Sequence, residues 1–507
     1  MDDSPLSSRI PRRHLMKLAA GGGAAAALAV LPGCSSKDDD DGESPTSGPT
    51  SSGATSTAGA TATRTTTHPE PGPKVLQSTG GILKATLTVQ PEMIAHGTGT
   101  RWALTVNGHT PGPTLRVKPG DSLRLTLDNQ TGHSTNIHTH GLRVSPTGNA
   151  DNPFLEIKHG EKFDYQIDIP ADHPGGSFWY HPHFHHHVAE QLYAGFFGLI
   201  IVEDTVDRLP EIAGATERLL LLHDTTIGSN ETAVMSANMM AQREGREGDV
   251  FVSGQQNATF EAAAGKLERW RILNASASRF YRLKLDGHPM FLMSTDADRL
   301  PAPLRVDEIA LVPGERIEVL VQPAAAGSYA LKSLSVGRGS MMQGSNIISN
   351  PEFTLATMKV AGAAPVPPLP AKLANTEDIR SMAQPKTREV VFSMQGQMGG
   401  ATFLIDGKTF DPGRIDIRIP LDTVEDWIVR NTSPMDHPFH LHIWPFQLME
   451  HSSGVVDGIQ WKDTINVPAN GWVRLRIRFS KIPGKTVFHC HILDHEDLGM
   501  MATIEVA

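Results

Sequence analysis

Cysteine is nearly absent from this chain: Cys34 and Cys490 are the only two among 507 residues. Two thiols leave no disulfide framework to propose. Charge is also modest, at 20% charged residues and a net charge of -10. No basic run of the kind nucleic acid needs is present, so the reading is no nucleic acid partner. Long amphipathic helical patterns are scarce. The one long apolar stretch, ending near Leu31, is too short and glycine-rich for a good membrane-spanning helix. Histidine is the outlier: there are 23, gathered in a few short segments. Clusters at regular spacing point to metal more than to general acid-base work.

The start of the chain reads as an address. Arg12-Arg13 precede His14-Leu15-Met16-Lys17 and an Ala/Gly/Leu run, the pattern of a twin-arginine export signal. Leu31-Pro32-Gly33-Cys34 resembles a lipobox with Cys34 as the acylated residue, although Pro32 departs from the usual small residue. Residues 35–73 are rich in Ser, Thr, Gly, Ala and Pro with an Asp run, a composition that cannot build a core and reads as a disordered linker. The expectation is export to the cell envelope, as a periplasmic protein or a lipoprotein tethered to a membrane through Cys34.

Beyond the linker the signals are β throughout. Short alternating runs such as Ser122–Leu127 and Val473–Phe479 are bounded by Gly, Pro, Asn and Asp, which predicts sandwiches or barrels. Internal repeats sharpen this. Runs ending in Asn129, Asn274 and Asn431 resemble one another. Nine and eleven residues past each Asn stand His138 and His140, Leu283 and Leu285, and His440 and His442. Five and seven residues past Gly176, Gly327 and Gly484 stand His181 and His183, Lys332 and Leu334, and His489 and His491. Three homologous β-sandwiches follow, with metal ligands in the outer two only and the middle copy a spacer or a wall of the substrate site.

Histidines one residue apart on a strand share a face, so four such pairs predict a metal centre in the seam between the first and third copies. Cys490 sits between His489 and His491 and points to the opposite face. With His495 and Met500 or Met501 nearby, a thiolate, imidazoles and a thioether are the ligands of a blue copper site. One short peptide thus joins two metal centres.

The segments His138-Thr139-His140-Gly141, Trp179-Tyr180-His181-Pro182-His183, His437-Pro438-Phe439-His440-Leu441-His442 and His489-Cys490-His491 resemble the four signature motifs of multicopper oxidases. The resemblance covers about residues 75 to 507. It implies an all-β chain of three cupredoxin-like Greek-key β-sandwich domains, at 74–205, 206–362 and 386–507 with a linker at 363–385. It implies four copper ions. His437, Cys490, His495 and axial Met500 match the type 1 ligands, with Met501 the alternative axial residue. His138 and His440 match type 2, and His140, His181, His183, His442, His489 and His491 match the type 3 pair. Glu496 matches a family glutamate that relays protons, and Asp151 resembles an aspartate near type 2 copper.

The implied reaction takes four single electrons from a donor and reduces dioxygen to water. Phenols or aromatic amines, as in laccases, are the first donor reading and Cu(I) the second. A copper-carrying or structural envelope protein without turnover is a third, and a monomer is expected. The complete ligand set disfavours the third reading, and no long methionine-rich insertion of the dedicated cuprous oxidases is present. His185-His186-His187 are read as lying beyond the cluster. Met341, Met342, Met394 and Met398 are read as core or loop filler against soft Cu(I) contacts. Asp457 and Asp463 are placed in a loop region facing the type 1 edge.

Overall fold

The computed structural model describes residues 74–235, 243–244, 248–296, 298–340, 349–383, 386–397, 400–454, 456 and 458–507, with the backbone of Arg64–Thr66. The expected export signal, Cys34, Met341, Met342, Met398 and Asp457 lie outside the described residues. Among those described, no helix is long and apolar enough to cross a membrane.

Among the described residues the strands form three pairs of facing sheets in chain order, with one small two-stranded sheet of Val336–Gly337 and Ser349–Asn350 besides. The first pair is two five-stranded sheets, and each later pair is one six-stranded and one five-stranded sheet. The expected cupredoxin-like sandwiches are therefore present. The Ser122–Asn129 strand shows why the pattern folds this way, since Leu123, Leu125 and Leu127 are buried while Ser122, Arg124 and Thr126 are partly exposed. The cores are not isolated. Leu221 and Leu273 of the second sandwich and Leu493 of the third join the cluster of the first.

The repeated asparagine has a physical role. Asn129 donates to the carbonyls of His133 and Ile157 and accepts from the Thr131 amide and hydroxyl. Asn274 donates to Arg279 and Leu311 and accepts from Ser276. Asn431 donates to Met435 and Val467 and accepts from Ser433. Each one satisfies buried backbone groups at the same sandwich corner, which explains its recurrence.

The corner also sets the register. In the first sandwich His138–His140 pairs antiparallel with Gly176–His181, placing His138 opposite His181. In the third, His437–Leu441 pairs with Gly484–Cys490, placing His440 opposite His489. In the middle copy Leu283 lies opposite Ser333, one residue beyond the counted Lys332. No side chain there offers the matching imidazole.

Candidate metal centre

Four strands therefore bring their histidines into one seam. His138, His140, His181, His183, His440, His442, His489 and His491 are all buried. The Nε2 atoms of His183, His442 and His489 converge to 3.1–3.2 Å of one another. His138, His440 and His442 form a second convergent group, and His138, His140 and His181 a third. Burial first, then the neighbouring imidazoles, pushes His140, His181, His440 and His442 well below the ordinary histidine range. Burial takes His183 down to about 3. These are neutral imidazoles, the form that binds a metal.

Second partners fix which nitrogen faces inward. His138 Nδ1 donates to Asp151 at 3.0 Å, and Asp151 also accepts the Thr139 amide at 2.9 Å. His181 Nδ1 donates to the Pro182 carbonyl at 2.8 Å, and His440 Nδ1 to the Asp463 carbonyl at 2.9 Å. His140 is the reverse case: its Nε2 lies 3.1 Å from Asp463 Oδ1, leaving Nδ1 for the seam. His138 Nε2, His140 Nδ1, His181 Nε2 and His440 Nε2 are buried without any hydrogen-bond partner. A buried polar atom left unpaired is costly, so this many aimed into one space fits bound cations.

Cys490 turns to the other face of its strand. Its Sγ lies 3.4 Å from His437 Nδ1 and 3.7 Å from His495 Nδ1, and those two nitrogens are 3.1 Å apart. His437 Nε2 donates to Ser433 Oγ at 2.7 Å, which leaves its Nδ1 as the inward lone pair. Burial pushes the Cys490 thiol well above its ordinary value, partly offset by the Ile492 amide donating to Sγ at 3.5 Å. A cation held between the two imidazoles would instead take the residue as thiolate. Met500 is fully buried in the same core as Cys490.

The middle sandwich reaches both centres. Arg316 grips Asp463 through both guanidinium arms at 2.7 and 2.6 Å, and Gly314 packs so closely on His491 that a Cβ there would lie 2.8 Å from Nε2. Glu244 Oε1 lies 3.1 Å from His495 Nε2 and pairs with Arg338. This corrects the expected place of Asp463. It is buried against His140 and Arg316 rather than facing the edge of the Cys490 site. Arg316, Glu244, Arg338 and Ser433 were not singled out from sequence, because an ordinary charge or hydroxyl in a β chain carries no spacing signal.

Glu496 is buried, with Oε2 3.0 Å from His489 Nδ1 and Oε1 3.5 Å from His183 Nε2. A surface carboxylate is thereby excluded. His185, His186 and His187 join none of the groups around Cys490 or the seam given above. Met394 packs partly buried against the third core, as filler would.

Sequence models of the multicopper oxidase family match residues 88–207, 220–354 and 383–507. Over 86% of its length the chain superposes on 94% of a Campylobacter jejuni multicopper oxidase described as a metallo-oxidase, at 31% identity and a TM-score of 0.76. Against a laccase from Pediococcus acidilactici the values are 88% and 95% coverage, 26% identity and 0.73. The cell division protein FtsP of Edwardsiella tarda is 31% identical over 385 residues, 74% of this chain and 78% of that protein. The donor groups match a type 1 site and a trinuclear centre, the arrangement that takes four coppers. With family matches over all three sandwiches and this donor set intact, the chain belongs to the multicopper oxidases, enzymes that couple oxidation of a donor substrate to reduction of dioxygen.

Proposed function

We propose that His437, Cys490, His495 and Met500 hold the type 1 copper that accepts electrons from the donor. His138 and His440 hold type 2, and His140, His181, His183, His442, His489 and His491 hold the type 3 pair. When bound, the four coppers supply storage and delivery of four electrons to dioxygen. The observation that carries the reading is the His489-Cys490-His491 segment, whose cysteine faces one donor group while its histidines face the other. Met500 is preferred to Met501 as the residue that would supply the thioether sulfur to the Cys490 site. Met501 pairs across from His489 and lines a cavity of about 620 Å³ together with His183, which puts it on the other side.

The same cavity, walled by Phe154, Phe184, Phe410 and Leu498, gives dioxygen a path to His183. Glu496 holds a proton-accepting carboxylate between His183 and His489, where protons are consumed. Asp151 orients His138.

For the donor, the laccase-like reading is phenols and aromatic amines, and the likeness to the Pediococcus laccase supports it. A specific observation favours the second reading, Cu(I). His437 and His495 are both completely buried, with Glu244 against His495 and Arg338 paired with Glu244, so among the described residues neither imidazole presents an open edge for an aromatic ring to stack on. The likeness to the Campylobacter metallo-oxidase agrees with it. Steady-state kinetics on Cu(I) and on a substituted phenol, with and without excess Cu(II), decides the matter. A kcat/KM for the phenol that exceeds that for Cu(I) would reject the Cu(I) reading.

A copper-carrying or structural role without turnover is the contrary case, and absence of dioxygen uptake by the copper-loaded protein with every donor would support it. Export by the twin-arginine route, lipidation of Cys34 and a monomeric state complete the proposal. Replacing Cys34 with Ser should release the protein from membranes, and unchanged fractionation would argue against the anchor.

A further inference from the structure

Among the described residues, a group of metal-binding side chains also converges apart from the seam and the Cys490 site, and it takes up part of the unexplained His185–His187 run. His133, His187 and Glu190 each bring a donor atom within 4.8 Å of the others. His187 Nδ1 lies 2.6 Å from Glu190 Oε1, three residues along on the start of the Val188–Ala194 helix, and so on the same face. The His133 and His187 rings stand 5.0 Å apart between centroids. His133 Nε2 also lies 3.3 Å from Glu231 Oε1, carried by the Glu231–Met235 helix, which lies in sequence between the Thr216–Thr225 and Asp249–Val252 strands of the second sandwich.

The backbone holds these groups in place before any ligand arrives. The His133 carbonyl accepts from Asn129 Nδ2 at 2.8 Å and Thr131 Oγ1 at 2.9 Å, so the first sandwich's corner fixes this residue. Phe184 stacks on the His187 ring at an interplanar angle of 11°. Two independent His–Glu hydrogen bonds would not require His133 and His187 to meet. Instead the donor atoms of His133, His187 and Glu190 gather within 4.8 Å of one another, with Glu231 beside His133, an arrangement that a shared cation can use. His133, His187 and Glu190 side chains are 39%, 29% and 17% exposed, open enough to load from solvent.

We propose that His133, His187 and Glu190, with Glu231 as a fourth donor, form a fifth metal site for a divalent transition ion. Two imidazole nitrogens with one or two carboxylate oxygens suit Zn(II), Ni(II) or Cu(II) rather than Mg(II) or Ca(II), which take all-oxygen shells. The site is separate from the four-copper machinery. By bridging the Val188–Ala194 and Glu231–Met235 helices, the ion would tie the first sandwich to a helix between two strands of the second.

The test uses the untagged, fully copper-loaded protein titrated with Zn(II), read by calorimetry and by metal analysis after dialysis. One Zn(II) per chain beyond the copper is expected. The double substitution His133→Ala and His187→Ala, and Glu190→Gln alone, should weaken it by more than about 10-fold, since even outer-shell partners of a metal cost about that much. Copper content and blue absorption should stay as in the parent, which shows that the variants fold. His288→Ala, a histidine elsewhere on the surface, should leave Zn(II) uptake unchanged. No bound Zn(II) in the parent protein, or uptake unaltered in the His133/His187 and Glu190 variants, would overturn the proposal.

Discussion

Arg316, from the middle sandwich, holds Asp463 by both guanidinium arms, and Asp463 in turn lies 3.1 Å from His140 Nε2. The pair is buried on both sides, so removing one partner strands a charge. Arg316→Met should therefore cost about 3–5 kcal/mol of stability. It should also lower copper occupancy of the seam, because Asp463, which orients His140, loses its anchor. Arg316→Lys keeps the charge without the planar fork, so it should fold better and still lose copper. Thermal unfolding and copper per chain check both. Full copper occupancy in a folded Arg316→Met protein would show that Asp463 orients His140 without help.

Cys490→Ser should abolish the blue absorption and turnover with organic donors. The fully buried sulfur is the only thiol among the described residues, and it lies against His437 and His495. The seam histidines should still take up copper. Retained blue colour and turnover would refute the type 1 assignment.

Most of the donor set was legible in the sequence because β-strands alternate faces. The spacing of His138 and His140 and of His440 and His442 fixes one face each, and the repeats ending in Asn129 and Asn431 align them. Asp463 was legible as an acidic residue and not as a partner of His140. Its neighbour in space, Arg316, lies 147 residues away on the middle sandwich, and no local pattern encodes that approach. The role of the middle copy was hidden for the same reason. Its strands keep the fold and drop the histidines, while Gly314, Arg316 and Glu244 act from loops and strand ends.

Glu496→Gln keeps the shape of a buried side chain beside His183 and His489 and removes its ability to carry a proton. Turnover should fall by about 10²- to 10⁴-fold, the range for losing a positioned proton-transfer group. Copper content, blue absorption and the rate at which the donor bleaches that absorption under anaerobic conditions should not change. An equal loss in the anaerobic bleaching rate would place the defect at the Cys490 site and sink the proton-relay reading.

Gly141, which closes the His138-Thr139-His140-Gly141 motif, has a φ of +87°, and a Cβ there would lie 2.3 Å from Arg316 Nη2 and 2.8 Å from Asp463 Oδ2. Gly148 also has a positive φ, +61°, but a Cβ there would meet nothing within 4 Å. Both Gly→Ala changes carry the backbone cost of a left-handed residue, about 1–2 kcal/mol. Only Gly141→Ala also pushes on the Arg316–Asp463 pair. It should therefore lose more stability than Gly148→Ala and, unlike it, lose copper from the seam. Thermal unfolding and metal analysis of the two variants side by side separate the steric effect from the backbone effect. Equal losses in both would mean that the glycine in the motif serves the turn alone and not the approach of the middle sandwich to the metal centre.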